Sequence, residues 1–205
     1  MGHKVNPISF RLATNHSWKS RWFAKPREFA ANILEDNIIR RTILEKMGPQ
    51  AGISDIIIER GVGRLSITVS TARPGVLIGR GGKQLEALRE LLTKKIAKKF
   101  KFEIIEIKKA DLDPRVVAQT IGLQISKRMS FRRVGKQALQ RIMSSGAKGA
   151  KIIISGRLDG AEIARRETFS EGQIPLSTLR SEVDFAVYHA LTTYGTVGIK
   201  VWINR

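Results

Sequence analysis

The 205-residue chain contains no cysteine. That absence excludes a disulfide framework and thiolate metal sites, and it suits a reducing, cytoplasmic compartment. No uncharged apolar run approaches the ~18 residues of a membrane span, so no transmembrane helix and no membrane partner are expected. Residues Met1 to Arg27 interleave Lys4, Arg11, Lys19, Arg21, Lys25 and Arg27 with polar side chains, and no apolar core follows, so no secretory leader is expected. Histidine is scarce: His3, His16 and His189 have no metal-ligand spacing. Ser155, Ser170 and Ser181 lie in no nucleophile-elbow context. Asp111 and Asp113 form a conceivable metal pair, but Asp113 ahead of Pro114 is explained more simply as a helix cap. No enzyme, cofactor or metal is expected.

Acid is the other shortage. The chain sets 18 Asp and Glu against 37 Lys and Arg, a formal charge of +19. With 42% hydrophobic residues it can still bury a core, so the excess charge sits on folded surfaces and calls for a polyanionic partner, nucleic acid first. From Pro114 to Leu158 acid is missing altogether, while Arg115, Lys127, Arg128, Arg132, Arg133, Lys136, Arg141, Lys148, Lys151 and Arg157 are all basic. A merely soluble surface mixes signs. The run Lys94, Lys95, Lys98, Lys99 and Lys101 is different: Glu86 and Glu90 soften it, so a solvated face explains it equally well.

The order of elements follows from periodicity. Phe29, Ile33, Leu34, Ile38, Ile39, Ile43 and Met47 predict a helix over Arg27 to Met47 with those residues facing the core, ended by Gly48-Pro49. Ile53 to Arg60 and Arg64 to Ser70 read as a hairpin turning through Gly61-Val62-Gly63. A short apolar turn and a glycine-rich loop precede a helix marked by Leu85, Leu88, Leu92 and Ile96, and a strand is expected over Glu103 to Lys109. A second domain begins at Asp111 to Pro114, with one helix carrying Val117, Ile121, Ile125 and Met129 and another carrying Phe131, Val134, Ala138 and Ile142. Strands follow at Ala150 to Leu158, around Val183 to Val187 and at Ile199 to Ile203, and Asp159 to Ser177 reads as a loop-bearing hairpin. The expected class is α+β, divided as a basic arm (1–26), a first domain (27–110) and a two-helix plus antiparallel-sheet domain (111–205).

Two constellations carry chemistry. In Gly79-Arg80-Gly81-Gly82-Lys83 the glycines let a backbone come close to phosphates at a helix N-terminus, and Arg80 and Lys83 add charge. A P-loop would need glycine at Leu77 and a hydroxyl at Gln84, and no dinucleotide fingerprint exists here, so G-x-x-G is what remains. Within helix-strand-strand-helix-loop-helix-strand this loop resembles that of a KH domain of the type II arrangement, which clamps a nucleotide backbone. On the second domain's second helix the apolar stripe leaves Arg132, Arg133, Lys136, Gln137, Gln140 and Arg141 outside, a basic rail on a rigid support. In the arm, Trp22 and Phe23 are expected to pin the chain to the protein, and Lys4, Arg11 and Lys19 to meet RNA or a partner.

Five separated motifs then point to one family: Met1-Gly2-His3-Lys4-Val5-Asn6-Pro7 with Phe10-Arg11-Leu12; Ile78 to Gly82; Ser155-Gly156-Arg157-Leu158; Gly160 to Arg165; and Thr193 to Trp202. Over essentially its whole length the chain resembles small-subunit ribosomal protein three of the bacterial or plastid type. The resemblance implies an N-terminal KH type II domain and a structural, non-enzymatic role in the ribosome, seated in the head of the small subunit on its RNA. It implies proteins ten and fourteen as neighbours in the head, proteins four and five around the channel where messenger RNA enters, and Arg132, Arg133 and Lys136 lining that channel to assist unwinding of messenger without hydrolysis. Ribosomal RNA contacts are expected at Lys4, Arg11, Lys19, Lys127, Arg128, Lys148, Arg157, Arg165 and Arg166. The sequence departs from some relatives at Gly81, where they carry a further basic residue. A free KH-domain regulator acting on other RNAs is the alternative, and co-sedimentation with small subunits in high salt separates the two.

Overall fold

The computed structural model describes residues 4–12, 14–61, 64–96 and 98–205. The hairpin turn at Val62-Gly63 and the Met1 to His3 end of the first motif lie outside the described residues. The chain forms two units, Trp18–Lys108 and the described part of Met1–Ser17 together with Lys109–Arg205. The stretch expected as a separate basic arm is therefore divided between them.

The Trp18–Lys108 unit runs β1 (Ser20–Arg21), α2 (Pro26–Met47), β2 (Ile53–Gly61), β3 (Arg64–Thr71), α3 (Pro74–Ile78), α4 (Lys83–Lys95) and β4 (Phe100–Glu106), α1 (Pro7–Phe10) belonging to the other unit. From α2 onward this is the helix-strand-strand-helix-helix-strand order of the type II KH arrangement. Its sheet has the order β1-β2-β3-β4, with β2 and β3 antiparallel and β3 and β4 parallel. Ile58, Ile67 and Val69 of the sheet pack against Ile39 and Ile43 of α2 and Leu88 and Leu92 of α4, all fully buried. The last strand begins three residues before the expected Glu103. The lysines around it mask Phe100 and Phe102, which the parallel register sets opposite Leu65 and Ile67.

In α2 the expected core stripe holds only for its second half. Ile39, Ile43 and Met47 are buried, but Phe29, Ile33, Leu34 and Ile38 are 40–63% exposed, and Asn32 and Asp36 are buried in their place. The cause lies on β2, where the Arg60 side chain is only 9% exposed. Its guanidinium donates to Asp36 Oδ1 (3.1 and 2.5 Å), Glu35 Oε2 (2.7 Å) and the Asn32 carbonyl (3.2 Å). Ser20 Oγ and Trp22 Nε1 each donate to Asp36 Oδ2 at 2.9 Å. A buried cation must be matched, and this requirement turns the polar row of the helix inward.

The other unit continues with α5 (Pro114–Ser126), α6 (Phe131–Ser144), β5 (Gly149–Gly156), β6 (Arg165–Gly172), β7 (Val183–Thr192) and β8 (Gly195–Asn204), in an antiparallel sheet of order β6-β5-β8-β7. Asp113 caps α5 as expected, its Oδ1 accepting from the amides of Arg115 (2.9 Å) and Val116 (3.3 Å). Helix α5 stops before Met129, and α6 buries its whole stripe of Phe131, Val134, Ala138 and Ile142. The helices cover one face of the sheet, α5 over β7 and β8, α6 over β5 and β6. They lie close: a Cβ at Gly135 would come within 2.7 Å of the Phe169 ring, and one at Gly122 within 2.3 Å of Tyr188.

Candidate nucleic-acid interface

The glycine loop is a single tight turn, Arg80–Gly82, between α3 and α4. Gly79, Gly81 and Gly82 have φ of +74°, +62° and +78°, the left-handed region that favours glycine. At Gly79 a Cβ would also meet Gln84 at 2.7 Å, whereas nothing lies within 4 Å at Gly81 or Gly82. The loop backbone is thus open to close approach. Helix α4 starts at Gly82 without a side-chain cap, so its first amides point outward with the positive end of the helix dipole, flanked by exposed Arg80 and Lys83. An anion is the ligand that this geometry suits.

The rail on α6 is built differently. Its first turn has no acid and its N-cap, Ser130, makes no side-chain capping bond. Arg132, Arg133 and Lys136 are exposed, held on a helix whose opposite side is fixed by the core. Arg132 lies 5.6 Å over the Phe131 ring and 3.6 Å from Glu167 of β6. With two-thirds of its side chain exposed, that ion pair is weak enough for a phosphate to displace. Before α6, Arg128 takes φ +62° in the turn from α5. A cavity of about 350 Å³ beside the turn is lined by Arg128, Met129, Phe131, Arg157 and Tyr194. Arg157 is exposed, yet its guanidinium donates to the carbonyls of Ala161 (3.0 Å) and Tyr194 (3.4 Å).

Of the cations expected to touch ribosomal RNA, Lys4, Lys127, Arg128, Lys148, Arg165 and Arg166 are exposed. Arg11 is not. It is fully buried, and it donates to the carbonyls of Pro7, Pro175, Leu176, Thr178 and Ser181 at 2.8–3.2 Å. Fully buried among these carbonyls, Arg11 is out of reach of a phosphate and acts as a structural pin that holds the described residues of the N-terminal segment to the 175–181 loop. Asn15 adds bonds to the carbonyls of Leu179 and Arg180 in the same loop. Lys19 is half-buried and pairs with Asp55. Trp22 does pin the chain through Asp36, but Phe23 is 95% exposed and pins nothing.

The Arg60 network has no local signal in the sequence, since Arg60 stands next to Glu59 at the end of β2 and its partners lie on α2. Burial works against the Arg60 charge, but the Asp36 and Glu35 carboxylates outweigh it, so its pKa stands above the ordinary arginine value. Lys151 and Lys200 were not among the expected site residues, although alternation with Ile152 and Val201 sets both on the sheet face away from the helices. Among the described residues no group of three or more His, Asp or Glu could hold a metal, and no helix is long and apolar enough to cross a membrane.

Residues 38–112 match the family described as KH domain, and residues 121–203 the family described as ribosomal protein S3, C-terminal domain. The whole chain is 48% identical to small ribosomal subunit protein uS3 of Lactobacillus gasseri, covering 91% of that protein. It is 47% identical to uS3 of Bacillus cytotoxicus and 46% identical to uS3 of Shouchella clausii, covering 93% of each. With both of its units matched and its full length aligned at nearly half identity, the chain belongs to the uS3 family of small ribosomal subunit proteins.

Proposed function

We propose that this protein is a structural, non-enzymatic constituent of the small ribosomal subunit in the cytoplasm, bound to small-subunit ribosomal RNA in the head, with Arg132, Arg133 and Lys136 on the path of incoming messenger. The observation that carries the reading is the α6 rail: exposed cations in a stretch without a single acid, mounted on a helix fixed to the core. Cations held in this way stabilise separated strands by contacting phosphates without reading bases, so no hydrolysis is asked of the chain. Lys4, Lys127, Arg128, Lys148, Arg157, Arg165 and Arg166 serve as ribosomal RNA contacts, and Gly79 to Lys83 offer a second backbone clamp. Proteins four and five stand near the messenger path. Proteins ten and fourteen are the neighbours in the head, and what supports a protein contact there is the exposed apolar side of α2, with Phe29, Ile33, Leu34 and Ile38, next to exposed Trp18.

The test is the triple variant Arg132→Ala, Arg133→Ala, Lys136→Ala, assembled into small subunits and assayed for elongation on a structured and an unstructured messenger. The expected outcome is near-normal assembly, slower passage through messenger hairpins and unchanged speed on the unstructured template. Equal slowing on both, or particles that fail to form, returns the three residues to anchoring.

A further inference from the structure

The antiparallel register sorts the charges of the second unit's sheet. Residues directly opposite one another share a face, and the two faces alternate along each strand. On the face away from α5 and α6, one part is covered by the chain itself, with Ile153, Val183 and Trp202 buried against Ile174, Leu176 and Phe185. Beside that cluster the pairings Ser170↔Lys151↔Trp202, Thr168↔Ile153↔Lys200 and Arg166↔Ser155↔Gly198 set Arg166, Lys151 and Lys200 across three neighbouring strands, with the hydroxyls of Thr168 and Ser170 next to them. Lys151 and Lys200 are diagonal neighbours, about 7–8 Å apart in such a sheet. No outward position on any of the four strands is acidic. The three acids of these strands, Glu167, Glu171 and Asp184, all fall on the helix side by the same alternation.

Two further facts favour an anion on this face. Lys4 comes against Lys151, and burial together with the Lys4 charge holds the Lys151 ammonium below the ordinary lysine range. The fold thus brings like charges together. Among the described residues no carboxylate pairs with Lys151, Lys200 or Arg166, although Glu167 and Glu171 flank Arg166 and Ser170 in sequence. Arg166, Thr168, Ser170 and Lys200 are exposed.

We infer that the sheet face bearing Lys151, Lys200 and Arg166 docks on the phosphate backbone of folded ribosomal RNA, so that the second unit holds RNA on two opposite sides. Folded RNA is the occupant that supplies several phosphates in a fixed array, whereas a single mobile anion would satisfy one cation at a time. The inference rests on the ribosomal reading above and divides its contacts: the sheet anchors, and the α6 rail on the other side stays available to a moving strand.

The test uses the full-length protein and small-subunit ribosomal RNA. For the unaltered chain, log affinity should fall with log salt with a slope of about −5, as for roughly 6 phosphates neutralised. Lys151→Thr, Lys200→Thr and Arg166→Thr together should flatten that slope by about 2–3 and weaken binding ~10–100-fold, with Lys151→Arg and Lys200→Arg retaining it. A shallow slope, above about −2, for the unaltered chain sinks the RNA-binding reading itself. A steep slope that the sheet variant leaves unchanged sinks only the sheet. Since the chain has no cysteine, a cleavage reagent tethered at Thr168→Cys or at Gln137→Cys on α6 gives an independent measure in the assembled particle. Distinct ribosomal RNA cuts from the Thr168→Cys site are expected. None from there, with cuts from the Gln137→Cys site, overturns the proposal even if the triple variant misfolds.

Discussion

Helices α2 and α6 are built in opposite senses. In α6 the stripe of Phe131, Val134, Ala138 and Ile142 is buried, Leu139 and Met143 pack half-buried against the same core, and the exposed positions are polar or basic, so its hydrophobic needs are met within the chain. In α2 the buried row includes Asn32 and Asp36, while Phe29, Ile33, Leu34 and Ile38 face outward. Helix α6 is finished by folding and offers charge. Helix α2 is held by a polar network and offers apolar surface, so two surfaces of one basic protein suit partners of different chemistry, RNA and protein.

The difference is open to experiment. Asp36→Ala is expected to have the largest effect, because it leaves the Arg60 guanidinium buried without its main partner; a loss of about 3–5 kcal/mol is expected from the urea midpoint of the Trp18–Lys108 unit. Asp36→Leu combined with Arg60→Met should lose much less, since removing both charges leaves neither stranded. If the double change is as harmful as the single one, the network is not what sets the facing of α2.

On α6 the corresponding weak point is steric. Gly135→Ala would press a methyl group into the Phe169 ring, 2.7 Å from the nearest atom, and should cost about 1–3 kcal/mol in the second unit unless the ring swings aside. Thermal unfolding followed by near-UV dichroism would report it. A neutral result means that the helix has slack against the sheet.

The smallest expected change in stability comes from the outward face of α2. Ile33→Ser with Leu34→Ser should shift the stability of the free protein by no more than about 0.5 kcal/mol per site, because both side chains are about half exposed or more. In reconstituted small subunits the same variant should lower retention of the neighbouring proteins of the head, measured by quantitative mass spectrometry. Full retention would show that this face has no protein neighbour.

How far the sequence could be read follows the same division. Helix α6, the Asp113 cap and the glycine loop were legible because each is a local pattern: a stripe at helical spacing, an acid before proline, glycines where φ must be positive. The facing of α2 was not, since it depends on Arg60, which lies 24 residues from Asp36 and enters no periodicity. Strand β4 was shifted because lysines hid the half-buried Phe100 and the buried Phe102. Strand β6 takes its place only by pairing with β5, and its own alternation is mostly polar. For the candidate site, the α6 cations stand exposed as expected, while Arg11 and Lys19 do not: a basic residue among polar neighbours gives no sign of an acceptor far along the chain.

Arg11 also bears on the timing of synthesis. Its acceptor at Ser181 lies 170 residues further on, an interval of roughly 8–34 s at ordinary rates of chain elongation. The whole Trp18–Lys108 unit emerges within that interval and closes on contacts of its own. The remaining unit cannot be completed until its final strands meet a segment made at the outset, and a loop that long closes slowly. Until then the guanidinium is solvated, and any polyanion that captures it competes directly with the carbonyls of Pro175 to Ser181. The same side chain that locks the finished unit therefore makes the nascent chain sensitive to premature capture by nucleic acid, and shielding residues 4–17 during translation should raise the yield of folded protein.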